Sequence, residues 1–346
     1  MGLPVSPLGS VFGSLAPSQP TSLLGQGALS QPAPGSLLGL GVLSQSVPAV
    51  WNWQHVRGRF KAFMSSLAIT PAQLDDGNTK QAGVRASLNR HYYGVSSETA
   101  NSLLIGSWGK ATRVRPSRDV DILFLLPASV YTQYQARTGN RQSALLQEVK
   151  NVLLNTYSQT SMRGDGQVVV IPFNQTPVEV APGFRCTDGS IIVCDTNNGG
   201  RYITSTAEAE EASLAASDTY CIGNTRALAR MMKQWQREHN EPLKSFQLER
   251  LAVEFLATWS NNQRDHFWYD WMVRDFLAYL IGRANTFLYM PGTNESVWLG
   301  DDWLLKAQRA YKHALLACDY EYSNMQVHAG EEWQKIFGSP IPLLSA

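Results

Sequence analysis

The chain has 346 residues with a formal net charge of +1, and 44% of its residues are hydrophobic. This length allows one large domain or two smaller domains with a substantial buried core. The near-neutral charge does not indicate a nucleic-acid-binding protein, because such proteins usually carry a strongly basic surface. The four cysteines have neither CxxC spacing nor a histidine at zinc-finger distance, so we expect reduced thiols in a cytoplasmic protein.

Residues 1–50 differ from the rest of the chain because they contain no Lys, Arg, Asp or Glu. Pro and Gly interrupt every apolar run in this segment. It therefore lacks both the continuous apolar core of a signal peptide and the ~20 apolar residues of a membrane span. We predict a low-complexity, disordered leader here and no association with a membrane.

Hydrophobic spacing and breaker residues predict that the next part of the chain mixes helices and strands. The expected helices cover 51–69, 71–91 and 140–157, with one or two further helical turns over 97–105 before a turn at Gly106. The expected strands are 119–126, 168–171 and 178–180, the last ended by Pro182. Thr70 and Pro71 match an N-cap followed by proline at the first helical position, which supports the start of the second helix.

After about residue 205 the apolar spacing is helical. Five helices are expected, at 207–217, 223–239, 246–260, 268–284 and 301–322. An aromatic stripe in this part is assigned to the core: Trp259, Trp268, Trp271, Phe276, Tyr279 and Leu280. The sequence thus predicts an α+β protein with a catalytic lobe over 51–204, a helical lobe over 205–338 and a flexible tail over 339–346. The absence of repeated βα units argues against a Rossmann domain.

The segment 105–126 contains the strongest chemical signal. Asp119 and Asp121 are two residues apart on a predicted strand, so their carboxylates project from the same face. Adjacent carboxylates repel each other unless a cation lies between them, and oxygen ligands suit Mg²⁺ or Mn²⁺. The alternative is a solvent-facing pair at the start of a strand, which a DxD pattern alone would favour.

Gly106 and Ser107 favour the metal-binding interpretation of the two aspartates over the solvent-facing one. A small residue and a hydroxyl on a tight turn allow backbone N–H groups to approach a phosphate closely. Four basic residues between this turn and the aspartates complement a triphosphate: Lys110, Arg113, Arg115 and Arg118. Glu179 lies between two valines on another short strand and completes a cluster of three carboxylates if the two strands are neighbours. Otherwise it is an outward-facing residue on a half-exposed strand.

The segment GSWGKATRVRPSRDVDILFLLP resembles the hG-GS-x(n)-DhDh signature of the DNA polymerase beta-like nucleotidyltransferase superfamily. Within this superfamily, the chain resembles the cGAS/DncV-like nucleotidyltransferases (CD-NTases) of bacterial anti-phage defence, in particular their SMODS-type synthases. Three other segments are also similar to this family: PVEVAPGF, CDTNNGGRYITSTAEAE and MMKQWQREHNEPLKSFQLERLAVEFL. The similarity covers about Trp51 to Pro342.

The resemblance implies a two-lobed fold with the active site in the cleft between the lobes. It implies that Asp119, Asp121 and Glu179 bind two Mg²⁺ or Mn²⁺ ions and carry catalysis. It also implies five nucleotide-binding residues: Gly106, Ser107, Lys233, Ser245 and, in base or ribose contact, Asn197. The sequence departs from the family at Ala111, where many relatives have glycine, and at Glu179, where aspartate is common.

The activity implied is the condensation of nucleoside triphosphates (ATP, with GTP, UTP or CTP as further candidates) into a cyclic di- or trinucleotide second messenger. Accessory proteins of the CBASS defence system are the implied partners. Alternatives are a transferase that modifies an RNA, a protein or a small molecule, a linear oligonucleotide synthase, and a nucleotide sensor without catalysis. Retention of three carboxylates argues against the sensor.

Overall fold

The computed structural model describes residues 52–345, so the leader predicted over residues 1–50 lies outside the described part. The helices are α1 (Val56–Leu67), α2 (Pro71–Tyr93), α3 (Gly106–Gly109), α4 (Ala128–Gln135), α5 (Arg141–Leu154), α6 (Ala207–Tyr220), α7 (Asn224–His239), α8 (Ser245–Thr258), α9 (Tyr269–Ile281), α10 (Leu304–Tyr322) and α11 (Gln326–Phe337). The strands are β1 (Ser102–Ile105), β2 (Val120–Leu125), β3 (Arg163–Asp165), β4 (Val168–Ile171), β5 (Val178–Arg185), β6 (Ile191–Asp195), β7 (Arg201–Thr204), β8 (Phe287–Tyr289) and β9 (Ser296–Trp298). Within residues 52–345, no helix is long and apolar enough to cross a membrane.

Strands β1 to β7 form one mixed sheet, in which β2 and β5 are parallel neighbours. The order is β1-β2-β5-β4-β3, and β6 and β7 continue from the second half of β5. Val120, Ile122 and Phe124 of β2 are at most 1% exposed and join a core that includes residues of α2, α4 and α5. Because alternate residues of a strand share a face, Asp121 projects from the opposite side of the sheet.

The helical lobe is built from both ends of the described chain. Val56, Phe60 and Phe63 of α1 are fully buried in one core with residues of α7 to α11, although α1 precedes the sheet. The α+β fold with a sheet lobe and a helical lobe is therefore confirmed. The finding that α1 packs in the helical lobe could not be obtained from hydrophobic spacing, which shows that a helix is amphipathic but not what it packs against.

The segment after α11 is packed, whereas we expected a flexible tail from residue 339. Ile341 is fully buried, and Arg59 of α1, itself fully buried, donates hydrogen bonds to the carbonyl oxygens of Pro342 and Leu343, each at 2.6 Å. The same guanidinium pairs with Glu321 at 2.7 Å. A buried guanidinium needs acceptors for all its donors, and the tail carbonyls provide two of them.

Two local expectations are wrong. The segment expected to be helical before Gly106 contains β1, which pairs antiparallel with β2. The strand expected to end at Pro182 continues to Arg185. Proline is tolerated there because β4 pairs with β5 only over 178–180 and β6 only over 183–185, so neither antiparallel neighbour requires an N–H from residue 182.

The start of α2 and most of the aromatic stripe agree with the sequence. Thr70 and Gln73 form a capping box, with proline at the first position of the helix. Phe276 is buried, and Trp271 packs against the core of the helical lobe. Trp268 differs, because it is only half-buried and lines a separate cavity.

Candidate active site

Three carboxylates converge on one face of the sheet. In the parallel pairing of β2 with β5, Asp121 lies directly opposite Glu179, and Asp119 immediately precedes β2. Their ligand oxygens all lie within 4.8 Å of one another. The structure therefore brings together the three residues that the sequence indicated, with Glu179 on the neighbouring strand.

This arrangement concentrates negative charge. Burial, together with the carboxylates of Asp119 and Glu179, raises the pKa of Asp121 to about 7. Burial also raises the pKa of Asp119 and of Glu179, and each of these groups faces at least one other carboxylate. A cluster of hard oxygen ligands that is short of compensating charge fits divalent cations such as Mg²⁺ or Mn²⁺.

Gly106 provides the space that Asp121 occupies. β1 ends directly before it, and the pairing of Ile105 with Asp121 places the following turn against this carboxylate. Gly106 has φ +57, and a Cβ added to it would lie 2.9 Å from Asp121 Cγ and closer still to Oδ2. Only glycine meets both requirements, the left-handed backbone and the close approach.

Ala111 also has a positive φ, of +55. A Cβ is strained in this backbone conformation, which glycine adopts more easily. The departure noted in the sequence therefore affects local strain and removes no side chain from the site.

A cleft of 270 Å³ lies between the two lobes beside the carboxylates. Nine of the residues expected at the site line it: Gly106, Ser107, Lys110, Arg113, Arg118, Asp119, Asp121, Lys233 and Ser245. Arg115 and Glu179 are not among the described residues that line it. Ser245 is the first residue of α8, and its hydroxyl donates to Gln236 Oε1 at 3.3 Å. Gln236 and Arg237 also line the cleft but were not predicted. Their positions three and four residues after Lys233, on one helix face, are the signal that could have identified them.

Lys233 is held by a buried ionic network centred on Glu249. One Glu249 oxygen accepts from Lys233 Nζ at 2.5 Å and the other from Lys110 Nζ at 3.0 Å. The Thr112 hydroxyl also donates to Glu249, and Lys110 forms a second ion pair with Glu210. Lys110 and Thr112 follow α3 in the sheet lobe, whereas their partners are on helices of the other lobe. The network therefore links the two lobes at the floor of the cleft.

Burial opposes ionisation of Glu249, but the two lysines outweigh it and hold its pKa below the usual value. Burial lowers the pKa of Lys233, although Glu249 acts in the opposite direction. Lys233 therefore lies on the cleft wall as expected, and its ammonium group already has protein partners.

Asn197 is not among the described residues that line the cleft. It lies in the connection between β6 and β7, where its backbone N–H and side-chain amide both donate to Asp195 Oδ1, at 3.1 and 2.7 Å. Arg201 pairs with the other oxygen of Asp195 at 3.0 Å. These contacts explain the Asn- and Gly-rich loop as a turn, and contact of Asn197 with a nucleotide stays a prediction.

Residues 55–217, just under half of the chain, match the family model of the SMODS domain, the Second Messenger Oligonucleotide or Dinucleotide Synthetase domain. This match confirms the resemblance that the motifs indicated. A search of curated proteins finds no match.

Three solved structures show the same fold. The Escherichia coli CdnC:HORMA-deltaN complex matches with a TM-score of 0.61 and 15% identity, over 83% of this chain and 98% of that chain. The Vibrio cholerae di-nucleotide cyclase DncV matches at 0.58 and 13%, over 84% and 88%. The Bradyrhizobium diazoefficiens CD-NTase CdnG in complex with GTP matches at 0.58 and 12%, over 83% and 96%.

Divalent cations should stabilise the protein through the carboxylate cluster. Because the folded state raises the pKa of Asp121, ionisation of this group disfavours folding. Asp121→Asn should therefore raise the melting temperature of the metal-free protein by a few degrees, more at pH 8 than at pH 6, and abolish the increase caused by Mn²⁺. Thermal unfolding with and without EDTA measures both effects. Asp75→Asn on the exposed surface of α2 is the control, and a metal-free Asp121→Asn protein less stable than the parent would contradict the prediction.

Gly106→Ala should disable the site through contact and not only through backbone strain. Gly94→Ala is the matched control, because Gly94 also has a positive φ, of +68, but a Cβ there meets no atom of the described chain within 4 Å. Both variants should lose roughly 1 kcal/mol of stability from the left-handed backbone. Only Gly106→Ala should also lose the Mn²⁺-dependent rise in melting temperature. Equal metal responses in the two variants would contradict this role of Gly106.

Glu249→Gln should destabilise the protein strongly, because it leaves two buried ammonium groups without their shared carboxylate. Removing one partner from a buried ion pair costs roughly 3–5 kcal/mol. Glu210 is more exposed than Glu249 and pairs with only one of the two lysines, Lys110. Glu210→Gln should therefore cost much less stability. Urea unfolding of both variants tests the difference, and equal losses would show that Glu249 is not the centre of the network.

Proposed function

We propose that this chain, whose residues 55–217 match the SMODS family model, is a nucleotidyltransferase of the cGAS/DncV-like class that condenses nucleoside triphosphates into a cyclic di- or trinucleotide. The observation that carries the proposal is the cluster of Asp119, Asp121 and Glu179, of which the two aspartates line a cleft that also carries basic side chains. An anionic substrate between these two surfaces would have its phosphates near the carboxylates only with cations present.

We propose that the three carboxylates hold two Mg²⁺ or Mn²⁺ ions. Bound there, such ions would lower the pKa of an attacking ribose hydroxyl and neutralise charge on the departing pyrophosphate. The protein contributes the fixed positions of the three ligands, which the pairing of β2 with β5 and the turn at Gly106 determine.

The residues on the other walls would bind the triphosphate. Ser107 lines the cleft, and so does Ser245 at the start of α8, where the N-terminus of the helix favours anions. Lys233 would exchange part of its contact with Glu249 for a phosphate oxygen. Holding the triphosphate and the acceptor hydroxyl in line accounts for much of the rate in this type of reaction.

The biological setting proposed is CBASS anti-phage signalling in the bacterial cytoplasm, with the product as second messenger for a separate effector. The similarity of the fold to CdnC, which was solved as a complex with HORMA-deltaN, supports the proposal of accessory protein partners. ATP is the first substrate to test, because the same fold was solved for CdnC with ATP, and GTP follows from the CdnG complex.

Incubation with labelled ATP, GTP, CTP and UTP plus Mg²⁺ or Mn²⁺ tests the activity. We expect the reaction to proceed without an added acceptor and to release pyrophosphate. Its product should resist phosphatase. Asp119→Ala combined with Asp121→Ala should reduce its formation at least 100-fold while the protein remains folded, since two metal ligands are removed. A phosphatase-sensitive product would indicate a linear oligonucleotide synthase. Activity that requires an RNA, a protein or a small-molecule acceptor would replace the proposal with the corresponding transferase.

A further inference from the structure

A further cavity, of 270 Å³, lies where the start of α8 meets β9 and the residues that lead into α10. It has the same volume as the cleft, and none of its described lining residues lines the cleft. Its wall combines apolar, aromatic, amide and charged side chains: Leu243, Lys244, Gln247, Trp298, Asp302 and Trp303. Sites for small molecules typically have this character, an apolar surface with a few polar groups.

Trp298 presents an exposed aromatic surface at this cavity. It is 52% exposed, and its ring packs at 4.8 Å against that of Phe287, its cross-strand neighbour on β8. A Cβ added to Gly300, which also lines the cavity, would lie 3.9 Å from Trp298 Nε1, so the N–H edge of the indole is close to the cavity wall. An indole that is held by a neighbouring ring and still exposed is suited to stacking with a planar group.

Two exposed charges of opposite sign line the cavity, the ammonium group of Lys244 and the carboxylate of Asp302. Neither forms an ion pair within residues 52–345, whereas the nearby Lys306 pairs with Glu241 at 3.3 Å. Lys244 is also the N-cap of α8, where the partial positive charge of the helix end repels a cation. An anion beside Lys244 would therefore be attracted by the side chain and would relieve this repulsion.

Gln247 is only 7% exposed, yet its amide keeps free donors. Its Oε1 accepts from the backbone N–H of Lys244 at 2.7 Å, which fixes the orientation of the amide. Its Nε2 donates to no atom of residues 52–345, although this nitrogen is accessible and not sealed in the core. Because side-chain amides in the interior normally have partners, the free N–H groups of Gln247 are available to a ligand in the cavity.

We propose that this cavity binds a guanine nucleotide, at a site separate from the cleft. The base would stack on the indole of Trp298, and the phosphate would pair with the ammonium group of Lys244. Asp302 would accept hydrogen bonds from the base, and Gln247 would donate to one of its acceptors or to the phosphate. Each free group of the wall would then have a partner on one ligand.

The carboxylate of Asp302 is the group that selects the base. An ionised carboxylate only accepts hydrogen bonds, and it has two oxygens with which to do so. Guanine carries two adjacent donors on one edge, N1–H and the N2 amino group, which match these oxygens. Adenine and cytosine have one amino group beside a ring nitrogen that is an acceptor, and uracil has one N–H between two carbonyl groups. Those acceptors would face the carboxylate and repel it.

Binding at this site requires no divalent cation, because the charge that attracts the phosphate belongs to Lys244 and no residue of the carboxylate cluster lines the cavity. A measurement in EDTA with a nucleoside monophosphate therefore isolates the cavity from the proposed reaction. A monophosphate has no pyrophosphate to release and cannot react as a donor. Failure of this proposal would leave the proposed synthase activity untouched, and the reverse also holds.

Guanosine 5′-monophosphate (GMP) is the probe, and three related compounds each lack one feature of it. Guanosine lacks the phosphate, ribose 5-phosphate lacks the base, and AMP has a different base edge. We expect calorimetric titration of the full-length protein in EDTA to show saturable GMP binding, roughly tenfold or more tighter than binding of each of the three. Absence of saturable GMP binding, or equal affinity for GMP and any one of the three, would overturn the proposal.

Trp298→Ala should weaken GMP binding roughly tenfold or more, because it removes the stacking surface. Tyr220→Ala is the matched control, since Tyr220 is another exposed aromatic residue, at 62%, and does not line the cavity. Equal GMP affinities in these two variants would contradict the assignment of the base to Trp298.

Asp302→Asn is the second variant and decides the question if Trp298→Ala fails to fold, since Asp302 is exposed. It should remove most of the preference for GMP over AMP, because an amide offers one acceptor and one donor group in place of two acceptors. Asp119→Ala combined with Asp121→Ala should leave GMP binding in EDTA unchanged. Loss of binding in this double variant, with binding retained in Trp298→Ala, would place GMP in the cleft and overturn the proposal.

Discussion

The site depends on the parallel pairing of β2 with β5, because this pairing sets Asp121 opposite Glu179 and gathers three carboxylates within 4.8 Å. Such a cluster opposes folding of the metal-free chain, as the raised pKa of Asp121 shows. The surrounding structure accommodates it at two points: Gly106 gives Asp121 room, and Lys110 and Lys233 partly offset its charge. A one-residue shift of β5 would turn Glu179 to the other face and place Val178 or Val180 beside the aspartates.

The second constraint is the junction of the lobes. Glu249 shares its two oxygens between lysines from different lobes, and all three groups are at most 6% exposed. Transfer of these charges from water is expensive, and apolar residues of the same size would often be at least as stable. The network is therefore better explained by geometry than by stability. It fixes the distance between the carboxylate face of the sheet and α7, on which Lys233 faces the cleft.

The sequence was sufficient where the signal is local. The DVD strand, the Thr70 capping box and the helices α6 to α10 follow from the spacing of neighbouring residues, and the family resemblance added Lys233 and Ser245. It failed where the cause lies far along the chain. β1 is a strand only because β2 pairs with it, the tail is ordered because Arg59 binds it, and Glu249 gains its role from Lys110, 139 residues away.

Charge distribution explains how a chain of net charge +1 can handle a polyanion. The cleft is lined by five basic side chains and three carboxylates: Lys110, Arg113, Arg118, Lys233 and Arg237 against Asp119, Asp121 and Glu249. Glu249 is neutralised by the lysines it binds, so the free positive charge lies on the arginines and the free negative charge on the sheet. A triphosphate in this cleft would be attracted by one wall and repelled by the other. Divalent cations bound to the carboxylates would turn this repulsion into attraction. Binding of the substrate and binding of the metal would therefore depend on each other. Net charge carried no information about this cleft, because its positive and negative side chains largely offset each other in the total.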